Sequence, residues 1–246
     1  MPESDCPPPA QREVPAEAAI LVIAKAPEPG KAKTRLAPAA GAAAAADIAA
    51  ASLLDTLEAA GDVAGGRTFV GWTGDLGNAA RATDVAEALA GVTVFQQRGD
   101  GLGERLAAAH SDVAAALPGA PVLQIGMDTP QVTSALLEAA LARLARGPAQ
   151  RLPDAVLGPA EDGGWWGLGL RDPRHADALR NVPMSRPDTG EHTRSALLGR
   201  GLSVLSLPAL ADVDTIDDAH QVAALAPRTR FAAALSDVPA PVGEAR

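Results

Sequence analysis

The run PVLQIGMD, residues 121–128, is the last of four short runs rich in Val, Ile and Leu that decide the fold. The other three are AILVIAK at 19–25, TFVGWT at 68–73 and VTVFQQ at 92–97. Alanine-rich segments with the length of helices follow them, at about 38–60, 75–90, 102–117 and 133–146. Because strands that alternate with helices form parallel sheets, the first half is predicted to consist of four βα units.

The second half has a different pattern, which begins after Pro153. Two strand-like runs, DAVLGP at 154–159 and WWGLGL at 165–170, are joined by the tight connection AEDGG. They are followed by a helix near 191–200, a strand LSVLSLP at 202–208 and a helix after Asp214. The sheet is therefore predicted to be mixed but mostly parallel, within one α/β domain.

The composition fits one globular domain, predicted over residues 19–235 between tails at 1–18 and 236–246. The chain has 246 residues, of which 47% are hydrophobic and 21% charged, a balance that excludes a wholly disordered chain. Lys and Arg number 21 against 30 Asp and Glu, and the net charge of −9 gives no general attraction to nucleic acid or anionic lipid. Nucleic-acid binding is therefore not expected.

The N-terminal stretch MPESDCPPPAQREVPAEA contains acidic residues and prolines but no apolar run, so we predict a flexible tail and no signal peptide. Its Cys6 is the only cysteine, which excludes an intramolecular disulfide and a thiolate metal cluster. The alanine-rich segment 39–54 is interrupted by Asp47, which favours a soluble helix over a membrane span. A cytoplasmic protein without membrane insertion is expected.

The stretch AKAPEPGKAKTRLAP follows the first predicted strand and is strongly basic. Lys25, Lys31, Lys33 and Arg35 place four cations within eleven residues of an otherwise acidic protein. Cations on a loop that leads into a helix suit a di- or triphosphate, because they neutralise its charge while free backbone N–H groups bind its oxygens. A solvated surface turn is the alternative interpretation.

The stretch VLQIGMDTP ends the fourth predicted strand with a carboxylate, Asp128. Open α/β sheets bind ligands at the carboxyl ends of their strands, and a carboxylate facing polyphosphate suits Mg²⁺ or Mn²⁺. Alternatively, Asp128 or Thr129 simply caps the next helix. In ALADVDTIDDA, Asp212 and Asp214 alternate and so share one side of an extended segment, and Asp214 is the better candidate ligand.

Glycines mark two further stretches. GPAEDGGWWGLGL, residues 158–170, combines two acids, a Gly pair and two tryptophans that point to opposite faces of a strand, which suits either a ligand pocket or a plain hairpin turn. QQRGDGLGERL at 96–106 fails the dinucleotide fingerprint because Glu104 stands where a glycine is needed, so NAD and FAD are not expected. The four histidines lack zinc-ligand spacing; His192 is either an acceptor contact or an exposed side chain.

In order, AKAPEPGKAKTRLAP, QRGDGLGERL, IGMDTP, GPAEDGGWWGLGL and DVDTIDD resemble the motifs of one family. It is the bacterial family of GT-A-type nucleotide-diphospho-sugar transferases, whose members are often labelled arsenosugar-biosynthesis glycosyltransferases. The chain is also distantly similar to 2-phospho-L-lactate guanylyltransferase and to molybdenum-cofactor nucleotidyltransferases. The resemblance covers residues from about 19 to 220, and five ordered motifs are far more specific than any one of them.

The resemblance implies a single Rossmann-like GT-A domain, with helices on both faces of the sheet, that binds a nucleotide with Mg²⁺ or Mn²⁺. It makes Asp128 a metal ligand and Asp214 a second metal contact. In the mechanism that we expect from these residues, Asp128 is also catalytic, and Asp162 either orients the acceptor or acts as general base. The nucleotide side is assigned to Lys25, Gly30, Lys33, Arg35, Gln97 and Gly103. The acceptor side is assigned to Glu161, Asp162, Gly163, Gly164, Trp165 and His192.

The chain departs from the family pattern at three places on the acceptor side. Met127 stands where the family has a small polar residue, Trp165 and Trp166 stand where it has tyrosines, and residues 184–186 replace a Trp-Ser-Thr segment. The resemblance therefore supports the nucleotide half of the inference better than the acceptor half.

The leading hypothesis is a metal-dependent glycosyltransferase that moves a sugar from a nucleotide-sugar donor to a small-molecule acceptor. The alternative is a nucleotidyltransferase of guanylyl or cytidylyl type, which takes a nucleoside triphosphate and releases pyrophosphate. Both reactions require stabilisation of a departing polyphosphate. A second alternative is a non-catalytic nucleotide-binding protein with the same fold. A homodimer is compatible with the sequence.

Overall fold

The structure, a computed structural model, describes residues 18–63, 66–144 and 152–238. Nearly all of both predicted tails, Cys6 and the end of the helix predicted to reach residue 146 lie outside these ranges. The strands are β1 (Ala18–Lys25), β2 (Gly66–Thr73), β3 (Thr93–Gln96), β4 (Val122–Gly126), β5 (Ala155–Pro159), β6 (Trp165–Leu170) and β7 (Val204–Ser206). They form one sheet of seven strands in the order β3-β2-β1-β4-β6-β5-β7.

The sheet is mixed, and its directions follow from the pairings. β1 pairs in parallel with β2 and with β4, and β2 in parallel with β3, as βα units require. β6 is antiparallel to both β4 and β5, whereas β7 is parallel to β5. Within the described ranges, β6 alone therefore runs against the other strands. The predicted α/β fold with a mixed, mostly parallel sheet is confirmed.

The helices agree with the predicted segments in most places. They are α1 (Ala37–Ala40), α2 (Ala42–Gly61), α3 (Ala82–Ala90), α4 (Leu102–Ala116), α5 (Ser134–Leu144), α6 (Thr189–Gly199), α7 (Ile216–Leu225) and α8 (Arg230–Ser236), with 3-10 helices at Leu76–Asn78 and Pro173–Asn181. The helix predicted over 38–60 is interrupted at Gly41, whose positive φ of 85° ends α1 and precedes α2. None of the described helices is long and apolar enough to cross a bilayer.

The core lies on both faces of the sheet, because alternate residues of a strand point to opposite sides. Along β1, Ile20 and Val22 pack on the face covered by α2 and α5, and Ala19 and Leu21 pack on the face covered by α4. Helices therefore cover both faces, as the family resemblance implied.

Three loops converge at the carboxyl edge of β1 and β4. The two strands are adjacent and parallel, with Ile23 opposite Gly126, so Lys25 and Asp128 lie at one edge of the sheet. Trp165 lies at the same edge, because it begins β6, which runs in the opposite direction. The edge therefore unites the basic loop after β1, the loop after β4 and the turn before β6.

A separate apolar cluster anchors the basic loop to the segment before α7. Leu36, at the end of that loop, packs with Val213 and with Phe231 of α8, and all three are buried. The two carboxylates that flank Val213, those of Asp212 and Asp214, line a cavity at the carboxyl edge instead. Because residues alternate along this extended segment, Val213 anchors the loop while Asp212 and Asp214 line the cavity.

Candidate active site

A cavity of about 580 Å³ opens at the carboxyl edge of the sheet, on the α4 face. Its volume falls in the range of small-molecule sites. The basic loop, the loop after β4, the turn before β6, residues 184–189 and the segment before α7 all contribute to its wall. Among the predicted site residues, those that line it are Arg35, Asp128, Asp162, Gly164, Trp165 and Asp214.

A buried lysine lies at the centre of the charged groups. The Lys33 ammonium is 2.9 Å from Asp128 Oδ1, its side chain is only 7% exposed, and it also donates a hydrogen bond to the carbonyl oxygen of Val213. Burial alone would lower the pKa of Lys33, but the nearby carboxylates of Asp128, Asp212 and Asp214 raise it above its usual value. Lys33 is therefore a permanent cation.

Asp212 is the carboxylate whose protonation this surrounding changes most. Burial raises the pKa of Asp212 to about 6, helped by the negative charges of Asp128 and Asp214 and opposed by Lys33. Its Oδ1 accepts a hydrogen bond of 2.7 Å from the backbone N–H of Val213. The alternation in DVDT points to both Asp212 and Asp214, although Asp214 was the predicted ligand.

A second cavity, of about 150 Å³, shares Asp128 with the first in its lining. Lys25, Lys33 and Arg35 line it, together with Asp128 and Asp214, and this small cavity therefore has a basic wall. The side chain of Arg35 is 74% exposed and its Nη1 lies 2.6 Å from Asp214 Oδ2. Such an exposed pair contributes little to stability, and its guanidinium can turn to an anionic ligand.

The backbone of the basic loop is held in a fixed conformation. The buried carboxylate of Glu28 accepts hydrogen bonds from the Lys31 ammonium at 2.7 Å and from the backbone N–H of Asp75 at 3.3 Å. Gly30 has a φ of +78°, and Lys33 has a φ of +46°, which is rare outside glycine. Non-glycine residues keep this conformation where surrounding contacts impose it, as the two contacts of the Lys33 ammonium do.

Buried contacts also fix the residues that precede Asp128. Met127 is buried, its Sδ accepts a hydrogen bond of 3.3 Å from the backbone N–H of Lys25, and its carbonyl oxygen accepts one of 2.8 Å from Ser52 Oγ. The departure at Met127 thus ties β4 to β1 and α2. Asp128 itself keeps a side chain that is 41% exposed.

The turn before β6 is built around close backbone approaches. Asp162 Oδ1 accepts a 2.8 Å hydrogen bond from the backbone N–H of Gly164. Gly163 has a φ of +86°, and a Cβ there would collide with the carbonyl oxygen of Pro187. Its own carbonyl accepts a 2.9 Å hydrogen bond from Gly190, in the first turn of α6. The Gly pair therefore seats this turn against the segment that closes the cavity.

The two tryptophans occupy opposite faces of β6. Trp165 lines the cavity, and its indole N–H donates a 3.1 Å hydrogen bond to the hydroxyl of Thr193 in α6. Trp166 is buried in the core, where its indole N–H donates a 2.9 Å hydrogen bond to the carbonyl of Pro208 and its ring fills the space beside Gly158. Trp165 is thus the one that can contact a ligand.

Eight predicted site residues do not line the large cavity: Lys25 and Lys33 line the small one, and Gly30, Gln97, Gly103, Glu161, Gly163 and His192 line neither. Glu161 is exposed outside its lining, and His192 lies on the exposed side of α6, 3.2 Å from Asp188 Oδ2. The Gln97 amide donates to the carbonyls of β1 and β2, at 2.9 and 2.8 Å. A Cβ at Gly103 would collide with a carbonyl of the 3-10 helix at 173–181, so close packing explains the glycine at this position.

The carboxylates at the cavity suit a cation that a ligand helps to hold. Asp128, Asp212 and Asp214 offer oxygen ligands, which Mg²⁺ and Mn²⁺ prefer. Across residues 18–63, 66–144 and 152–238, no three acidic, His or Cys side chains are grouped closely enough to hold a metal ion by themselves. Mg²⁺ is commonly held by one or two carboxylates and completed by phosphate oxygens, and this donor set fits that kind of binding.

Comparison with known proteins agrees with the fold. A family model, DUF2064, described as an uncharacterized protein conserved in bacteria, matches residues 56–186. A provisionally named nucleotide-diphospho-sugar transferase of Desulfovibrio desulfuricans G20 is 27% identical, with a TM-score of 0.77 over 90% of this chain and 94% of that one. No curated protein matches the sequence.

Two more distant structures share the fold alone. CMP:2-keto-3-deoxy-manno-octonic acid synthetase in complex with CTP is 16% identical, with a TM-score of 0.55 over 86% of this chain and 99% of that one. The 4-diphosphocytidyl-2C-methyl-D-erythritol synthase of Anaerococcus prevotii DSM 20548 is 9% identical, with a TM-score of 0.55 over 87% and 98%. The fold and the family resemblance expected from the sequence motifs are confirmed.

Proposed function

This chain belongs to the DUF2064 family, and from that premise we propose that it is a transferase that uses a nucleotide as donor. The observation that carries the proposal is that Asp128, which is paired with Lys33, lines two cavities of different character. The small cavity has three cations in its wall, which suits a diphosphate or triphosphate. The large cavity has room for the group that is transferred and its acceptor.

Glycosyl transfer from a nucleotide sugar is the first candidate. The large cavity, at about 580 Å³, offers space for a sugar ring beside a small acceptor, with Trp165 as an apolar surface for either. The similar protein of Desulfovibrio desulfuricans carries the name of a nucleotide-diphospho-sugar transferase, which supports the same choice.

The residues of the site divide the chemistry between them. Lys25, Lys33 and Arg35 bind the diphosphate and stabilise the charge that it gains as it departs. A divalent cation held by Asp128 and Asp214 would neutralise part of that charge when bound. The acceptor hydroxyl oxygen forms a bond to the anomeric carbon while the bond from that carbon to the diphosphate oxygen breaks, and the electron pair leaves with the nucleoside diphosphate.

Asp162 is the proposed proton acceptor for this step. Its carboxylate lines the large cavity, and one oxygen is fixed by the N–H of Gly164. In this proposal the second oxygen takes the proton that the acceptor hydroxyl loses. Because the turn is held by Gly163 against Pro187, the carboxylate has a defined position before the acceptor arrives.

Nucleotidyl transfer is the second candidate, and Lys33 supports it as well. A buried, permanently charged ammonium in contact with the candidate metal ligand is suited to the charge of a phosphate under attack. In this reaction the acceptor oxygen attacks the α-phosphorus of a nucleoside triphosphate, and the bond to the β-phosphate oxygen breaks to release pyrophosphate.

The first experiment is a thermal-shift titration of the protein with nucleoside triphosphates and nucleotide sugars, with and without Mn²⁺. Asp128→Asn should lose the metal-dependent stabilisation and lower turnover by about a hundredfold or more, because it removes the carboxylate proposed to hold the metal that neutralises the phosphates. Asp62→Asn, the same exchange at an exposed helix end, is the matched control and should behave as wild type.

The outcomes separate the candidates. Metal-dependent binding of a nucleotide sugar supports glycosyl transfer, whereas preference for one free triphosphate supports nucleotidyl transfer. Nucleotide binding without any released diphosphate or pyrophosphate, across a panel of acceptors, would indicate the non-catalytic alternative. A fully active Asp128→Asn variant would contradict the role of Asp128 as metal ligand.

A further inference from the structure

A buried glutamine that the proposed chemistry does not use lines the large cavity, and a buried histidine lies behind it. Gln124, in the middle of β4, is only 2% exposed, yet its side chain lines the cavity. His110, on α4, is completely buried, and its Nε2 lies 3.0 Å from Gln124 Oε1. A buried glutamine in the central part of a sheet lowers stability unless the donors and acceptors of its amide are hydrogen-bonded.

The geometry of this pair determines how the glutamine is presented. A carboxamide oxygen can only accept a hydrogen bond, so His110 Nε2 must carry the hydrogen and donate it. Burial lowers the pKa of His110 to about 4, and the neutral imidazole therefore keeps this arrangement at neutral pH. With Oε1 committed to His110, the Nε2 amino group of Gln124 is the part that can donate to a molecule in the cavity.

Apolar side chains share the cavity lining with Gln124. Ile23, Leu106, Met184 and Trp165 line the same cavity. A ligand that reaches this depth must bury its own surface there, which favours hydrocarbon. It must also offer an acceptor to the amide, since an unmet donor in an apolar site costs binding energy.

The charges at the mouth of the cavity disfavour an anionic acceptor. Among the described lining residues, four carry carboxylates, Asp128, Asp162, Asp212 and Asp214, and two carry guanidinium groups, Arg35 and Arg186. Both guanidiniums are paired, Arg35 with Asp214 and Arg186 with Asp188. Lys33, 2.9 Å from Asp128, adds a third cation, so without a bound metal the four carboxylates still outnumber the cations. A carboxylate or phosphate on the acceptor would then meet this excess of negative charge.

From these observations we infer that Gln124 determines acceptor specificity, and that the acceptor is an uncharged hydroxyl compound. Its buried end is mostly hydrocarbon and carries one oxygen, of a carbonyl, ether or hydroxyl group, that accepts from the Gln124 amide. His110 is a positioning residue, which acts by holding that amide. The inference rests on the proposed function, because it takes the large cavity as the acceptor side of a transferase.

The test uses small probes of matched size on the full ¹⁵N-labelled chain, followed by NMR. The side-chain amide signals of Gln124 are identified by their loss in Gln124→Met. The indole N–H signal of Trp165 reports on occupancy of the cavity in every variant. We expect 2-butanone and n-butanol to shift both signals, and butyrate at the same concentration to shift neither.

Three variants test the roles of the pair. Gln124→Met, which is similar in volume, should weaken the binding of 2-butanone by ~3- to 10-fold, the value of one neutral hydrogen bond. Gln96→Met makes the same exchange on the exposed edge strand β3 and should bind as wild type. His110→Leu keeps Gln124 but removes its partner, so the preference of the cavity for 2-butanone over butyrate should narrow.

Butyrate binding as tightly as 2-butanone would overturn the inference, and so would the absence of any shift with the neutral probes. Unchanged 2-butanone affinity in Gln124→Met would remove Gln124 from the specificity role. The same samples, titrated with UDP-glucose or CTP and Mn²⁺, report on the donor site. Nucleotide binding without probe binding contradicts this inference alone, whereas probe binding without nucleotide binding contradicts the proposed function alone.

Discussion

Acid should destabilise this protein through a single buried histidine. His110 is fully buried between α4 and β4, and its one hydrogen bond, to Gln124, joins it to a neutral group. Burial lowers the pKa of His110 from 6.5 to about 4, although the contact with Gln124 acts in the opposite direction. The perturbation that isolates this effect is His110→Gln, which keeps an amide donor and removes the titrating group.

The sign and size of this pH effect on stability follow from the difference in the pKa of His110 between the folded and the unfolded chain. Above pH 6.5 the imidazole is neutral in both states, and its contribution to stability is fully present. As the pH falls from 6.5 toward 4, the unfolded chain binds a proton that the folded one does not, so this stability is lost. Between about pH 7.5 and about pH 5 the loss amounts to about 2 kcal/mol.

Urea unfolding of wild type and His110→Gln at both pH values measures this quantity. The carboxylates and other histidines titrate alike in the two proteins, so the difference between their pH dependences isolates residue 110. We expect the free energy of unfolding of wild type to fall by about 2 kcal/mol more than that of the variant. Equal pH dependence in the two proteins would refute the argument that His110 is neutral because it is buried.

Two further predictions concern the contacts that hold the site in place. Gly103→Ala should lower the free energy of unfolding by about 1–3 kcal/mol, because the added Cβ would collide with a carbonyl of the 3-10 helix at 173–181. Gly101→Ala, where the added carbon has open space, should change this free energy little. Equal effects of the two substitutions in urea unfolding would contradict the packing argument. Asp55→Ala should lower the free energy of unfolding by about 2–3 kcal/mol, because this buried carboxylate accepts hydrogen bonds from the backbone N–H and the guanidinium of Arg230. Glu58→Ala, which removes an exposed partner of the same guanidinium, should lower it by less than about 1 kcal/mol. Calorimetry of the two variants measures both effects, and a reversed order would be evidence against this argument.

The two helical segments missed by the sequence analysis are the 3-10 helix at Pro173–Asn181 and α8. Each begins with a capping residue, Asp172 followed by Pro173 in the first and Thr229 in the second, but a cap alone does not predict a helix. The first turn of α8 is held by hydrogen bonds to Asp55, which is 175 residues away from Arg230 along the chain. A helix of this length is marginal without such tertiary contacts, so local periodicity could not reveal it.

The candidate site likewise combines residues that the sequence predicted with contacts that only the fold creates. The basic loop, Asp128 and the acidic segment before α7 each have a sequence signal, and the topology unites them at one edge. That Lys33 is buried against Val213, 180 residues away, could not be read from a run of cations, which looked equally like a solvated turn. No sequence pattern pointed to Gln124 or His110 as site residues, because the role of a polar residue inside an apolar strand depends on which residues face it in the fold.

The sequence by itself determined the α/β class, the mostly parallel sheet and the family, because hydrophobic period, helix length and ordered motifs are local properties that survive without any contact. It also determined that Trp165 and Trp166 lie on opposite faces of a strand. Only the tertiary structure decided which one lines the cavity, because that depends on the helix packed on each face of β6. Burial, pKa and cavity shape likewise arise between elements distant in sequence, and no local pattern contains them.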